Sequence, residues 1–395
     1  MKKRLIRKFV AACVMVLLAL VAFTPRSGAA EWSPGPMPKA LRVASYEVGG
    51  AMYIICAGIG EGIYKKFGIR LRTLPVGTGT ARILNVRVGN TDFGVTSDSL
   101  FASEGLYDYA NETWGPQPLR MVYISNRQSA WAFATGAGSG IKTMEDLKGK
   151  RLPAAVGSPF TKLTIEGALA FAGLKPEDVR FVEFRSMAAM YDSVIEGTTD
   201  AAPLDSLSSA AYKLEASPKG IYWIPCPVEN KEGWKRFQAV LPEIQPVLCK
   251  YGPGLSEKKA VWLPTVPFPQ YVVYADADEK KVYWIVKMMA ESYNEYKDIA
   301  PALPWHKPEE AIKANSVLPY HAGAVRYFKE KGLWTAQLEK NQKELIERQA
   351  ALRGVWDSTV EEALAKGVKA EQFGEFWMKK RAEKFPNFWV QTPVN

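Results

Sequence analysis

The segment Gly77-Thr78-Gly79-Thr80 places two hydroxyl groups and several backbone amides at the predicted start of a helix, where a small anion can bind. Its glycine spacing is that of a phosphate-binding loop. However, no Walker lysine follows, and Arg82 stands where the longer dinucleotide pattern has a third glycine. A carboxylate therefore suits this loop as well as a phosphate does. Each threonine taken alone can also be an ordinary helix N-cap.

Charged residues in or near predicted loops offer further partners for a small ligand. Arg82 can hold a carboxylate through two parallel hydrogen bonds. Asp98, Asp205 or Glu47 can accept hydrogen bonds from an ammonium group. Ser158 and Thr161 present the same two possibilities as Thr78 and Thr80: each side chain can be an N-cap or a ligand contact. An organic acid and an amino acid are both compatible with these residues.

Catalytic chemistry has few candidate residues in this chain. The two histidines, His306 and His321, both fall late in the sequence, near prolines or in a turn. The sequence contains no H-E-x-x-H, G-x-S-x-G or C-x-x-C, so the common zinc, serine and thiol routes lack essential parts. A paired-carboxylate mechanism stays open, although acidic residues in loops are more often caps or solvated charges. We expect no enzymatic activity, no metal site and no cofactor.

Three cysteines follow residue 30: Cys56, Cys226 and Cys249. Their odd number and wide spacing exclude a disulfide framework and a zinc knuckle. Cys226 and Cys249 can pair in an oxidising compartment, or they can be small buried hydrophobes.

The N-terminus has the pattern of a secretory signal peptide. Five cations lie within the first nine residues, and an apolar run follows over residues 9–23. This run is shorter than the roughly 20 residues that a membrane-spanning helix needs, and small residues precede Glu31. We expect residues 1–30 to be a signal peptide cleaved near Ala30, which places the protein in the periplasm. An uncleaved anchor is the alternative.

The net charge of +10 comes largely from this N-terminal segment. Removing residues 1–30 removes six of the 51 cations and none of the 41 acids, which leaves 45 minus 41, or +4. The remaining charges of both signs are interleaved rather than clustered, so we expect no nucleic-acid partner.

The elements that must position these residues follow an α/β pattern. Short apolar runs alternate with amphipathic stretches from Leu41 onward, separated by glycine-bearing turns. The chain beyond the signal is longer than one core usually organises, which predicts two lobes. We expect a first lobe from residues 40–129 and 264–334, a second lobe from residues 130–263, and a helical extension over residues 335–395. Ligands of open α/β sheets bind beyond the carboxyl ends of strands, where the loops described above are expected.

The extension has an apolar repeat. Leu338, Leu345 and Leu352 recur every seven residues, which can form a coiled-coil seam or the inner face of a helix packed on its own domain. Three such positions are few, so the second interpretation is favoured.

Eight short segments occur in an order and spacing typical of one known family. They are residues 48–53 (VGGAMY), 77–80 (GTGT), 88–95 (VGNTDFGV), 140–150 (GIKTMEDLKGK), 156–158 (VGS), 195–201 (IEGTTDA), 263–267 (LPTVP) and 320–328 (YHAGAVRYF). In these segments the chain resembles the TAXI-type solute-binding receptors of TRAP transporters. The resemblance implies a two-lobed periplasmic-binding-protein fold, of the type II-like Venus-flytrap kind, with the ligand in the cleft. It also implies a small organic acid or amino acid as ligand, and TRAP permease subunits in the membrane as partner of a monomeric receptor.

The resemblance and the residue chemistry together predict the ligand-binding residues. They are Tyr46, Gly50, Tyr53, Thr78, Gly79, Thr80, Arg82, Ser97, Asp98, Ser158, Phe160, Thr161, Asp205 and Ser206. Arg82, Pro159-Phe160 and residues 203–206 depart from the family pattern, so the identity of the ligand does not transfer. A sensory receptor on the same fold, or an enzyme built on it, is the alternative function.

Overall fold

The computed structural model describes residues 32–48, 51–155, 158–184, 187–314 and 316–388. The predicted signal peptide and the predicted site residue Gly50 lie outside the described residues. The elements below all belong to one unit of the chain, residues 36–395.

The strands of the described residues, numbered in chain order, are β1 (Ala40–Ser45), β2 (Arg70–Pro75), β3 (Phe93–Thr96), β4 (Leu119–Ile124), β5 (Trp131–Thr135), β6 (Arg151–Ala155), β7 (Arg180–Phe184), β8 (Ala201–Asp205), β9 (Tyr222–Trp223), β10 (Gln245–Cys249), β11 (Val261–Thr265) and β12 (Gln270–Tyr274). The helices are α1 (Ala51–Phe67), α2 (Gly79–Arg87), α3 (Ser99–Glu104), α4 (Pro159–Phe171), α5 (Met187–Glu196), α6 (Ser209–Ala216), α7 (Lys231–Val240), α8 (Glu279–Glu291), α9 (Tyr293–Tyr296), α10 (Pro308–Ala311), α11 (Ala322–Glu330), α12 (Ala336–Lys366) and α13 (Ala370–Lys384). Single 3₁₀ turns occur at Tyr107–Tyr109, Glu145–Leu147, Pro176–Asp178, Glu257–Lys259 and Leu303–His306.

The first lobe is built on a five-stranded sheet in the order β2-β1-β3-β12-β4. β1 pairs in parallel with β2 and with β3, and β12 runs antiparallel to β3 and β4. All four residues of β3 are buried, as expected for a central strand that has cover on both faces. Because β1, β2 and β3 run in the same direction, the loops after them emerge at one edge of the sheet.

The second lobe contains a three-stranded sheet in the order β8-β5-β9, the parallel pair β6-β7 and the antiparallel pair β10-β11. Small residues of β5 and β8, such as Ala132 and Ala202, are fully buried and allow helices to pack closely on this sheet. The core around them includes Leu204, Leu214 and Trp223.

The chain passes between the two lobes twice, from β4 to β5 and from β11 to β12. Hydrogen bonds connect these passages: Phe268 N donates to Ser125 O over 3.1 Å, and Ser125 N donates to Pro269 O over 3.1 Å. The Thr265 hydroxyl donates to Ser129 O over 2.7 Å. The predicted two-lobed α/β architecture is therefore confirmed. The boundaries between residues 129 and 130 and between residues 263 and 264 stay predictions.

The C-terminal extension is helical, as predicted, and consists of α12 and α13. Leu338, Leu345 and Leu352 are buried, which favours a helix packed on its own domain. Trp356 and Trp377 form a shared aromatic core near Ala110 of the first lobe. Neither the 31-residue α12 nor another helix of the described residues combines the length and apolar character needed to cross a bilayer.

Cys226 and Cys249 are free thiols, both buried. Burial raises the pKa of each thiol, so both are held in the neutral form. The sequence left open whether these two cysteines form a disulfide or pack as small buried hydrophobic residues. In the structure they are unpaired and buried.

Gly115 provides a test of how the extension packs on the first lobe. Its φ is +64°, and an added Cβ would lie 2.4 Å from Cε2 of Trp356. Gly115→Ala should reduce the free energy of unfolding by about 1–2 kcal/mol for the backbone conformation and about 1–3 kcal/mol more for the clash. Urea unfolding measures both contributions together.

The matched control is Gly89→Ala. Gly89 has a similar φ of +73°, and no atom lies within 4 Å of an added Cβ. This variant should show only the backbone cost, about 1–2 kcal/mol. Equal losses in the two variants would show that Trp356 does not pack on Gly115 in solution.

Candidate ligand-binding site

Tyr46 connects the loops that follow β1 and β3. Its hydroxyl donates to Ser97 Oγ over 3.2 Å, and its ring meets that of Phe268 edge-on at a centroid distance of 6.0 Å. The guanidinium carbon of Arg82 lies 3.6 Å from the centroid of the same ring. A cation so close to an aromatic face is stabilised by about 0.5–2 kcal/mol. The structure thus brings together three predicted site residues, Tyr46, Arg82 and Ser97.

Arg82 is buried, with only 3% of its surface exposed. One terminal nitrogen, Nη1, donates to the carbonyl oxygens of Val76 at 3.1 Å and Gly77 at 3.3 Å. Nε has no hydrogen-bond partner among the described residues. An unpaired buried donor costs about 1–3 kcal/mol, and a charged one costs more. This edge of the guanidinium is therefore suited to donate a hydrogen bond to an anionic ligand group.

Thr78 is the N-cap of α2, since its Oγ1 accepts from the amide of Ala81 over 3.2 Å. The hydroxyl of Thr80 lies 3.3 Å from that of Thr78. Gly79 faces Asp98 so closely that an added Cβ would lie 1.6 Å from Oδ2 of the carboxyl group. Glycine is needed at position 79 because any side chain would displace Asp98. The predicted ligand contacts of the two threonines stay predictions.

Asp98 precedes α3 and is 8% exposed, but its side chain makes no N-cap hydrogen bond. Ser97 Oγ approaches its Oδ1 at the long distance of 3.5 Å. Burial raises the pKa of Asp98, the charge of Arg82 partly opposes that rise, and Asp108 adds to it. The carboxyl group is therefore buried with little hydrogen bonding and can accept a donor from a ligand.

Asp205, at the end of β8, forms an ion pair with Arg127, a residue that the sequence analysis missed. The distance from Arg127 Nη2 to Asp205 Oδ2 is 2.8 Å, and the two side chains are 5% and 17% exposed. Arg127 also lies 5.9 Å from the centroid of the Phe268 ring, and its Nε has no hydrogen-bond partner among the described residues. Arg127 lies in the passage from β4 to β5, where no motif marks it. The aromatic pair of Tyr46 and Phe268 thus has a guanidinium beside each ring.

Tyr191 is a second residue that the sequence did not identify. Burial raises the pKa of its phenol, and the negative charge of Asp205 raises it further. Its ring meets that of Trp131 at 6.2 Å, and Trp131 also packs against Phe160 at 5.9 Å. This aromatic group lies on α5, β5 and α4 of the second lobe.

The other predicted residues of the second lobe have local partners. Ser158 Oγ donates to Thr161 Oγ1 over 2.8 Å, and no N-cap bond from the Ser158 side chain is formed. Ser206 is fully buried, and its Oγ accepts from the amide of Ala130 over 3.0 Å. Tyr53 is half-buried on α1. The ligand contacts of these residues stay predictions.

A buried polar network connects α3 to Glu243, in the segment between α7 and β10. Ser99 Oγ donates to Gln270 Oε1, and Gln270 Nε2 donates to Glu243 Oε2 over 2.7 Å. Glu243 is 1% exposed, and its Oε1 has no hydrogen-bond partner in the described part of the chain. Burial raises the pKa of Glu243 to about 7; Asp98 adds to the rise, and the bond from Gln270 opposes it. The network was not predicted because its three members are far apart in the sequence.

The two histidines lie elsewhere in the fold. His306 is fully buried and its Nε2 pairs with the hydroxyl of Tyr271 at 3.0 Å. His321 is the N-cap of α11 and accepts from the amide of Gly323 over 3.2 Å. Within the described residues, no group of histidine, cysteine and acidic side chains could hold a metal ion. The charged side chains of Arg82, Asp98 and Arg127, with the rings of Tyr46 and Phe268, can bind charged and aromatic groups.

Comparison with known protein families gives a match that spans both lobes. The profile of the NMT1-like family matches residues 43–332, which is more than half of the chain. The chain belongs to the NMT1-like family. No curated protein sequence matches this NMT1-like protein.

Solved structures similar to the NMT1-like protein include several periplasmic binding proteins. The aliphatic sulphonate-binding protein SsuA of Escherichia coli is 17% identical, with 91% of this chain and 94% of that chain covered and a TM-score of 0.46. A putative periplasmic sulfonate-binding SsuA of Methylobacillus flagellatus is 17% identical, with 90% and 98% covered and a TM-score of 0.42. The alkanesulfonate-binding SsuA of Xanthomonas axonopodis pv. citri, bound to MOPS, is 15% identical, with 80% and 94% covered and a TM-score of 0.40.

The raised pKa of Glu243 predicts a pH-dependent stability. The pKa of this carboxyl is 4.5 when unperturbed and about 7 in the folded protein. The folded state therefore binds the proton more tightly, so its contribution to stability is complete below pH 4.5 and is lost as the pH rises through about 7. In Glu243→Gln that loss is absent. Relative to the wild type, the variant should gain about 3 kcal/mol of unfolding free energy between pH 4.5 and pH 7.5.

Urea unfolding of both proteins at several pH values measures this difference. Titrating groups that do not interact with Glu243, His306 among them, contribute equally to both proteins and cancel. A difference that stays constant with pH would contradict the raised pKa of Glu243.

Proposed function

We propose that this protein is an extracytoplasmic solute-binding receptor that captures a small carboxylate or amino-acid-like ligand between its two lobes. The observation that carries the proposal is the buried guanidinium of Arg82, whose Nε has no hydrogen-bond partner among the described residues. A ligand carboxylate would provide a charge-assisted acceptor, worth about 1.5–3 kcal/mol.

The surroundings of Arg82 support a ligand that also carries a donor group. Asp98 is a buried carboxyl beside Gly79, and burial raises its pKa. Tyr46 and Phe268 present aromatic surface between the guanidinium groups of Arg82 and Arg127. Ligand sites commonly combine apolar surface with a few convergent polar groups of this kind. Closure of the two lobes would bring Tyr191 toward the ligand and complete its enclosure.

The proposed membrane partner is the ion-driven permease of a TRAP transporter. The proposal is supported by the order of the short segments between residues 48 and 328, which resembles that of TAXI-type receptors. Neighbouring genes for multi-span permease subunits would support transport. A neighbouring gene for a membrane kinase or a chemoreceptor would support the sensory alternative instead.

Export through a signal peptide cleaved near Ala30 is part of the proposal. The charged start and the apolar run of residues 9–23 support it. Intact-mass measurement of the secreted protein should show that residues 1–30 are absent. A periplasmic product that retains residues 1–30 would contradict cleavage.

Arg82→Gln tests the binding site directly. A panel of small organic acids and amino acids is first screened by differential scanning fluorimetry. A ligand at 100 times its Kd stabilises the folded state by about 2.7 kcal/mol. Isothermal titration of the best ligand should then show that Arg82→Gln weakens binding about 10- to 150-fold, because one charge-assisted pair is lost.

The matched control is Arg87→Gln on the same helix, α2. Arg87 is exposed and donates to the carbonyl of Thr113 at 3.1 Å, away from Tyr46. Its variant should bind like the wild type. Unchanged affinity in Arg82→Gln would remove Arg82 from the site, and the absence of any thermal shift with the panel would contradict the proposed ligand class.

A further inference from the structure

The short helix α3 has one end in the candidate site. All six of its residues are buried. Asp98 directly precedes it and faces Gly79, and Ser99, its first residue, donates to Gln270. Any displacement of α3 along or about its axis therefore changes the position of Asp98 and the bond to Gln270.

The other end of α3 is held by the C-terminal extension through a buried group of three charges. Glu104 accepts from Arg348 over 2.6 and 3.1 Å and from Arg381 over 3.0 and 2.6 Å. The side chains of Arg348 and Arg381 are 15% and 6% exposed, and that of Glu104 is 5% exposed. Charge-assisted bonds in such a buried setting are directional and strong.

A second contact holds the same end. The indole nitrogen of Trp377 donates to the carbonyl oxygen of Gly105 over 2.6 Å, and Gly105 is the left-handed C-cap of α3. Arg381 itself is kept in place, since it donates to Phe385 O over 3.0 Å and lies 4.7 Å from the ring of Phe388. The extension therefore contacts α3 through both a charged group and a hydrogen bond.

The buried charges of Glu104, Arg348 and Arg381 indicate that the C-terminal extension does more than cover apolar surface of the first lobe. Apolar side chains of similar size would cover the first lobe without the desolvation cost of one carboxylate and two guanidinium groups. Buried ionic groups instead define one geometry for the elements they join. A six-residue helix is only about 9 Å long, so a helix fixed at Glu104 is also fixed at Asp98.

We propose that the C-terminal extension is a positioning element for the candidate site, and that Arg381 is its main positioning residue. Through Glu104, Arg381 and Arg348 hold α3 so that Asp98 stays against Gly79 and Ser99 stays bonded to Gln270. The consequence for ligand affinity rests on the proposed function. The effect of the extension on the stability of residues 98–106, here called the coupling, does not depend on that proposal.

Hydrogen exchange followed by mass spectrometry, on the chain as secreted and without ligand, tests the coupling. In Arg381→Gln the amides of residues 98–106 should exchange about 10-fold faster than in the wild type, while those of α4 in the second lobe are unchanged. The matched control is Arg353→Gln on α12, whose ion pair with Asp357 is exposed at 57% and 55%. This control should exchange like the wild type throughout.

Two further variants keep the test decisive if Arg381→Gln folds poorly. Trp377→Phe removes the indole donor to Gly105 and retains an aromatic ring, so it should accelerate exchange in residues 98–106 by about 3-fold. Arg381→Lys keeps a positive charge near Glu104 but not the full set of guanidinium contacts, so it should recover part of the protection. Acceleration confined to residues 336–388, or spread equally over α4, would overturn the positioning role, because either result describes a purely structural extension.

Ligand affinity separates this inference from the proposed function. Arg381→Gln should weaken binding of the ligand found by the fluorimetric screen about 10-fold, and Arg381→Lys should restore part of the affinity. Unchanged affinity together with faster exchange at residues 98–106 would overturn the effect on binding. A screen without any ligand would contradict the proposed function and leave the exchange result to decide the coupling.

Discussion

Arg82 lies with its guanidinium carbon 3.6 Å from the ring centroid of Tyr46 and its Nη1 on the carbonyl groups of Val76 and Gly77. A buried guanidinium is costly unless it has partners, and those of Arg82, the Tyr46 ring and the two carbonyl groups, come from the loops after β1 and β2. Tyr46 in turn contacts Ser97 after β3. One buried charge therefore joins the loops at the sheet edge, and its Nε, which has no partner among the described residues, is where we propose that an anion binds.

Three acidic side chains with little exposure illustrate different solutions to the same physical problem. Glu104 accepts four hydrogen bonds from two arginines of the extension, so its charge is compensated. Asp205 has one arginine and one backbone amide as partners. Glu243 has a single amide donor, and burial raises its pKa to about 7. Compensated groups fix the scaffold, while incompletely paired ones cluster where we propose that a ligand binds.

The sequence predicted much of the scaffold because the signals are local. Alternation of apolar runs and glycine turns predicted the α/β lobes, and the spacing of Leu338, Leu345 and Leu352 predicted a packed helix. The family resemblance and the residue chemistry together predicted Tyr46, Arg82 and Ser97 as site residues; the structure brings the three side chains together, and their ligand contacts stay predictions. The sequence did not identify three further residues, because each lies in a segment without a recognisable pattern: Arg127, Tyr191 and Glu243. Their importance depends on neighbours that are far away in the chain.

By itself, the sequence determined the order of elements, the residue types available in the strand-end loops and the pattern of an export signal, since these depend on periodicity and residue type. Only the tertiary structure decided which charges find partners. Hydrogen bonding of a buried side chain depends on contacts across tens to hundreds of residues, as between Glu104 and Arg381 or Ser99 and Gln270. The same long-range packing connects the extension, whose composition predicts only helices, to the residue that precedes α3.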